Sequence, residues 1–167
     1  FNTAVEAANK AIQDTLKSYS DGALKEAQQA LKDAADAADA ANKANDSVGD
    51  LSNYVDGAFA DGIITEAEAK AIEKYINTVN NTKAAVEATY TKLYTNTYLS
   101  GTPKTDLLNA KVSLFGAITN LITAINTAIA DGKTTTTEKK NVDAKFTLFN
   151  SALATFNTAV ESANKAI

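Results

Sequence analysis

Apolar residues recur along this chain at spacings of three and four, the period that places side chains on one face of an α-helix. One stripe runs from Ile72 to Leu93, and the widest apolar face lies between Leu107 and Ile129. The most regular stripe keeps a 4-3-4 rhythm through Val142, Phe146, Phe149, Leu153, Phe156, Val160, Ala163 and Ile167. The pattern predicts three long helices, each spanning about 45 Å at 1.5 Å per residue.

A fourth segment, from Ala23 to Val48, is rich in Ala, Lys, Asp and Gln. Small side chains bury little area, so this helix should depend on close contact with a neighbour or with copies of itself. Residues 20–22, Ser-Asp-Gly, are a candidate turn or kink, and residues 45–50 are a candidate linker. Periodicity alone allows residues 23–59 to pack as a fourth helix or to project as an arm. The predicted apolar face consists of Leu24, Ala27, Leu31, Ala34, Ala38, Ala41 and Val48.

An internal duplication marks two points between helices. Residues 58–62 (AFADG) match residues 128–132 (AIADG), and each Gly is followed by a Thr-x-x-Glu pattern. Gly62 and Gly132 suit the left-handed residue that ends a helix, while Thr65 and Thr135 begin capping boxes with Glu68 and Glu138. Two tight reversals between antiparallel helices are therefore predicted. A third boundary is expected at residues 98–101, with Thr102 as N-cap and Pro103 as the first helical residue.

A second duplication joins the two ends of the chain. Residues 1–12, FNTAVEAANKAI, recur as residues 156–167, FNTAVESANKAI, with one change. We expect a unit of a longer tandem array, with residues 1–19 ending the last helix of a preceding repeat. Residues 20–50 would be an Ala-rich helical arm or linker, and residues 51–167 a bundle of two related helical hairpins. The predicted fold is an all-α, elongated antiparallel bundle of three long helices with an Ala-rich fourth helix or arm.

The number of helices bears on how such units would connect. An even number of full-length antiparallel helices returns the chain to its starting end, whereas an odd number advances it along one axis. End-to-end stacking therefore requires an odd number of helices or an arm.

Composition removes several classes of function. The net charge is −4, and all sixteen cationic residues are Lys. The absence of Arg and of a basic patch argues against nucleic-acid binding. There is no Cys or His to form a disulfide, a thiolate site or a base–nucleophile pair. The most apolar run, residues 114–129, contains five Thr and Asn residues, so we predict a core helix and no membrane insertion.

Several residues are candidates for metal binding or acid catalysis. Asp61, Gly62 and Glu68 resemble the second half of an EF-hand loop, but the leading ligand positions fall on Gly57 and Phe59, which lack carboxylates. The acidic groups Glu66 with Glu68, and Asp33, Asp36 and Asp39, are expected on solvated helical faces. Calcium binding and acid catalysis are therefore weaker interpretations than caps and surface charge.

Two further features lie on the predicted helix that follows Thr65, which ends at about residue 95, and in the loop after it. Lys83 interrupts an apolar stripe, where a lysine usually extends its ammonium group to the bundle edge. Four tyrosines could form a recognition surface, although packing is the commoner explanation; they are Tyr75, Tyr90, Tyr94 and Tyr98. We expect no catalytic, cofactor-binding or metal-binding residue, and no enzymatic activity.

Longer stretches resemble a known family. NYVDGAFADGIITEAEAKAIEKYINTVN, TYLSGTPKTDLLNAK, LITAINTAIADGKTTTTEKKNVDAKF and ANKAIQDTLKSYSD are similar to helical tandem repeats of phage tail-associated minor structural proteins from gut-bacterial phages. The resemblance covers residues 53–167 and the first twenty, whereas the Ala-rich segment matches in composition only. It implies a structural part of a tail tip or fibre, in the virion, and supplies no catalytic residues.

The resemblance and the helical pattern lead to one main hypothesis. The chain would be a spacer module that sets length and rigidity and presents a distal receptor-binding region. Its partners would be adjacent repeats, further copies through the helical seams, and other tail or surface proteins. The alternative is a stalk repeat of an extracellular bacterial adhesin, and a weaker third idea is a helical pore-forming toxin.

Overall fold

The computed structural model describes residues 1–167 and is all α-helical. Helix α1 spans Asn2–Ala58, α2 Glu66–Tyr94, α3 Gly101–Ile129 and α4 Thr136–Ala166. The prediction of an all-α antiparallel bundle is confirmed, and its three predicted long helices correspond to α2, α3 and α4.

The helices form two hairpins that share one core. Helix α1 packs most extensively against α2, and α3 against α4; the α1–α4 contact joins the hairpins, and α2 touches α3 least. Cross-helix pairs define the antiparallel order of the first hairpin: the rings of Tyr54 and Tyr75 lie 5.1 Å apart, and the hydroxyls of Ser47 and Thr82 lie 2.8 Å apart. The largest fully buried side chains come from all four helices and include Leu51, Ile72, Leu93, Leu107, Leu114, Ile118, Phe149 and Phe156.

Two equivalent reversals close one end of the bundle. Gly62 and Gly132 have φ of 72° and 75°, and Thr65 and Thr135 both form complete capping boxes, as the duplication predicts. The Ile64 N–H donates to the Gly132 carbonyl at 2.8 Å, and the Thr134 N–H donates to the Gly62 carbonyl at 3.0 Å. The two reversals therefore bind each other and lock the hairpins together, which the sequence did not reveal.

Helix α1 differs from its prediction in two ways. It continues through residues 20–22 and 45–50 without a turn or linker, giving a single helix of 57 residues, or about 86 Å. Its buried face is also rotated in part from the predicted one: Ala34, Ala41 and Val48 are buried as predicted, whereas Leu24, Ala27 and Leu31 are exposed and Ala38 is only partly buried. The buried set is Ala30, Asp33, Ala34, Ala37, Ala40, Ala41, Ala44, Ser47, Val48, Leu51, Val55 and Ala58.

The two alternatives for the Ala-rich segment each describe part of α1. Residues 30–58 pack as the fourth helix of the bundle, and residues 2–29 project beyond it. The projecting half leaves the bundle at the end opposite the reversals, where α4 also ends. Because four helices return the chain to its starting end, the chain enters and leaves the bundle at the same end.

Helix α3 begins two residues earlier than predicted, with Ser100 as the N-cap and Pro103 inside the first turn. Its length and composition also meet the criteria for a membrane span, with a mean hydropathy of 1.5 in its most apolar window. In the bundle, its apolar character is explained by a buried stripe that includes Leu107, Leu114, Ile118, Leu121 and Ile125.

Candidate interaction surface

The projecting half of α1 is a helix without tertiary cover. Every residue from 1 to 29 is exposed. Seven large apolar side chains between residues 1 and 31 are exposed, which is unusual for an isolated soluble domain. They are Phe1, Val5, Ile12, Leu16, Tyr19, Leu24 and Leu31.

The first part of this surface has a buried counterpart in the same molecule. Phe1 and Val5 correspond to Phe156 and Val160, which are 0% and 4% exposed in α4, whereas Phe1 is fully exposed. The twelve duplicated residues are helical in both places. The same Phe and Val side chains are therefore buried where other helices of the bundle surround them, in α4, and exposed where none does, in α1.

The α1–α4 groove fixes how these two helices align. Residues 45–53 of α1 share one groove with Phe146 and Asn150, and residues 31–42 share the next with residues 157–164. The helices are therefore antiparallel, with residues near 49 opposite residues near 148 and residues near 36 opposite residues near 160. Two asparagines seven residues apart face this groove with buried side-chain oxygens that have no hydrogen-bond partner, Asn157 and Asn164. Buried asparagines at such spacing favour one register over others.

The α4-facing side of α1 continues past the point where α4 ends. Leu31 borders the last α4 groove, and Leu24 lies one heptad further along the same side. Ser20 and Leu16 extend this line at helical spacing. We call this set the arm stripe: Leu16, Ser20, Leu24 and Leu31.

The base of the arm is anchored on its other side by the loop between α2 and α3. The Tyr98 hydroxyl donates a hydrogen bond to the Glu26 carboxylate, and this bond raises the pKa of Tyr98. The Asp33 carboxylate accepts from the Gln29 amide at 2.9 Å and lies in the same groove as Lys92. The Tyr98–Glu26 bond therefore ties the base of the arm to the α2–α3 loop, whereas the Gln29–Asp33 bond lies within α1.

The carboxylates of the candidate acidic residues on α1 bind neighbouring side chains of the same helix. Asp33 is buried, contrary to the expected exposed face, because the core face of α1 is rotated. Asp36 pairs with Lys32 at 2.6 Å, and the Lys32 hydrogen bond lowers the pKa of Asp36. Asp39 pairs with Lys43 at 2.9 Å.

The acids near the first reversal behave in the same way. Glu66 pairs with Lys70 at 3.2 Å, while the Glu68 carboxylate accepts from the Thr65 N–H at 2.8 Å and the Asp61 carboxylate from the Ile63 N–H at 3.0 Å. No group of three or more His, Cys, Asp or Glu side chains is placed to hold a metal ion.

Lys83 belongs to a set of lysines that bridge α2 and α3. Its Nζ lies 5.1 Å from the Phe115 ring centre and 3.5 Å from the Thr119 hydroxyl. Lys111 reaches back from α3 to Glu87 at 2.8 Å and covers the rings of Tyr90 and Phe115. Long lysine side chains thus fill the space between α2 and α3, the adjacent helices with the smallest contact. In the sequence, only the charge of Lys83 within an apolar stripe indicated these contacts.

The four tyrosines do not form one surface. Tyr75 packs on Tyr54 towards the reversal end, whereas Tyr90 and Tyr94 stack at 5.3 Å towards the other end, next to the loop that carries Tyr98. Burial raises the pKa of Tyr90 to about 12. Packing accounts for three of them, and Tyr98 anchors the arm.

Comparisons with known proteins add no relative: no protein-family model, no curated protein and no solved structure matches this chain. Seven of the twelve exposed large apolar side chains lie between residues 1 and 31, so the candidate interaction surface is the projecting half of α1 with its arm stripe.

Proposed function

We propose that this chain is a structural spacer module, one unit of a tandem array in a phage tail-associated protein, which gives length and rigidity and presents a distal receptor-binding region. The observation that carries the proposal is the twelve-residue duplication. The sequence that ends α4, where it is packed in the bundle, recurs with one change at the start of α1, where it is exposed. A unit built in this way can be followed by a copy of itself without a linker.

A continuous junction would make the array stiff. The joined helix would run from the α4 start of one copy to the α1 end of the next, about 78 residues or roughly 117 Å. This helix, with a bundle packed around each of its halves, would fix the distance and the orientation between one bundle and the next. The phage setting comes from the sequence resemblance alone.

The alternative setting is a stalk repeat of a bacterial surface adhesin, which the same geometry would serve. An antibody raised against the purified protein separates the two settings. Immunogold labelling of tails in phage particles released by the producing bacterium is the expected result. Labelling confined to the cell surface would reject the phage setting and leave the spacer module.

The spacer itself is tested with two copies joined so that Phe156–Ile167 of the first serve as Phe1–Ile12 of the second. Hydrogen–deuterium exchange should reveal helical protection throughout the junction. Exchange there at the rate of an unstructured chain would reject a rigid spacer.

A further inference from the structure

In a tandem array, the helical bundles themselves would leave the arm stripe exposed. Continuing α4 into a following copy buries the equivalents of Phe1, Val5 and Ala8, because those positions already pack as Phe156, Val160 and Ala163. Leu16 and Leu24 have no such counterpart, and they are 63% and 59% exposed. Something beyond the unit's own bundle must cover them if they are to be buried.

The α1–α4 register indicates which segment lies nearby. Each step towards the N-terminus of α1 is matched by a step beyond the C-terminus of α4, since the helices are antiparallel. Extended past Ile167, this register brings residue 21 of α1 opposite a position about nine residues after the end of α4. The offset between the duplicated segments is 155 residues, so that position is again about residue 21, in the following copy.

In this antiparallel arrangement, the arm stripes of the two copies would be complementary in shape. Ser20 lies near the centre, and Leu16 and Leu24 are four residues before and after it, so antiparallel pairing sets Leu16 of one copy against Leu24 of the other. The small Ser20 side chains at the centre permit a close approach of the helices. The side of α1 that faces α4 and the side of α4 that faces α1 both continue into this same stripe.

We propose that the arm stripe is a self-complementary docking surface whose occupant is the arm stripe of the adjacent copy of this unit, paired antiparallel about Ser20. This inference rests on the proposed tandem array. It has a consequence for shape: because each unit is entered and left at the same end, successive bundles would alternate in direction on the two sides of the paired arms.

Engineered cysteines test the pairing directly, since the chain contains none of its own. In the chain of two joined copies, Ser20→Cys in both copies places two thiols at the centre of the pair. Ser18→Cys in both copies is the matched control, because Ser18 is an exposed serine on the opposite side of the helix. A disulfide requires Cα atoms within about 7 Å.

The expected result is a disulfide within one chain that forms at least about tenfold faster for the Ser20→Cys pair than for the Ser18→Cys pair, reflecting a high effective concentration. Leu24→Lys in both copies should slow disulfide formation by the Ser20→Cys pair to the rate of the Ser18→Cys pair, whereas Ser18→Lys in both copies should leave the rate of the Ser20→Cys pair unchanged. Equal rates for the two cysteine pairs, or disulfides formed only between separate chains, would overturn the proposal.

Hydrogen exchange on the same protein keeps the two proposals distinguishable. A protected junction with equal cysteine rates would reject the docking surface and keep the spacer. An unprotected junction would reject the spacer, and the docking surface with it.

Discussion

Gly62 and Gly132 hold the reversal end of the bundle together from equivalent positions. Both have positive φ, and both offer their carbonyls to the opposite reversal. A Cβ at Gly62 would lie 3.3 Å from the Thr134 carbonyl, whereas a Cβ at Gly132 would lie 3.7 Å from the Ile64 carbonyl. A side chain at either position would strain the backbone, but only at Gly62 would it also crowd a carbonyl oxygen.

Gly62→Ala should therefore destabilise the protein by about 1–2 kcal/mol or more, and Gly132→Ala by somewhat less. Gly116→Ala is the matched control: Gly116 is an exposed helical residue with open space around its Cα, so the change should stabilise by up to about 1 kcal/mol. Urea unfolding measures all three. Equal effects at positions 62 and 116 would contradict the role of the reversal.

Thr134 and Ile64 occupy equivalent places between the two reversals, yet only Thr134 is polar. Its hydroxyl is buried and has no hydrogen-bond partner in the protein. Thr134→Val removes that group while keeping the shape, so it should be neutral or stabilise by up to about 1–2 kcal/mol in urea unfolding. A loss of more than about 1 kcal/mol would indicate that the hydroxyl is satisfied.

Tyr90 gives the bundle a pH-dependent contribution. Its folded pKa of about 12 lies above the ordinary value of 10 because the ring is buried. Folding thus opposes ionisation, so its contribution is fully present below pH 10 and is lost as the pH rises towards 12.

The difference in unfolding free energy between the natural protein and Tyr90→Phe isolates this contribution from the titration of lysines. It should be constant below pH 10 and should shift against the natural protein between pH 10 and 12. A flat difference across that range would contradict burial of the Tyr90 hydroxyl.

At the scale of the element, α1 combines a core helix and an arm without a boundary between them. The helix runs unbroken through Gly22 and Gly49, because its many alanines favour helix strongly enough to offset a cost of about 1 kcal/mol for each interior glycine. The two halves nevertheless contribute differently to the bundle, because only residues 30–58 are packed against α2 and α4.

Removal of residues 1–22 should therefore leave the unfolding free energy of the bundle within about 0.5 kcal/mol of the full chain. Removal of residues 1–50 should prevent cooperative folding, because it deletes the Ala-rich face that fills the core beside α2. Circular dichroism during urea titration follows both variants. Cooperative unfolding of the shorter variant would show that the fourth helix is dispensable.

Most helices and both reversals could be predicted from the sequence, because the residues that determine them are close together in the chain. Gly62, Thr65 and their equivalents specify the helix ends at the reversals, and the large apolar side chains of α4 define a single face. The Ala-rich face could not be placed, because many alanines around a helix leave its buried side undetermined. The bond between the reversals and the lysine bridges of α2 and α3 join residues far apart in sequence and leave no periodic trace.

The arm stripe was hidden for a related reason. The sequence predicts Leu24 and Leu31 on the packed face, since apolar residues at helical spacing usually point to a core. Only the alignment of α1 with α4 shows that these residues continue the α4-facing side of α1 past the point where α4 ends.

At the scale of the whole molecule, the chain enters and leaves the bundle at one end, and in the proposed array both helices at that end continue into neighbouring copies. This geometry makes a joined array grow sideways, by alternation of bundles, and not end to end. The long helices would then lie across the direction of growth, and each added copy would widen the array.

Small-angle X-ray scattering from chains of one, two and three joined copies measures this most directly. Maximum dimensions of about 90 Å, about 120 Å and about 120–130 Å are expected, because the third bundle would lie beside the first. A three-copy chain longer than the two-copy chain by about 45 Å or more, the length of a further bundle, would contradict it.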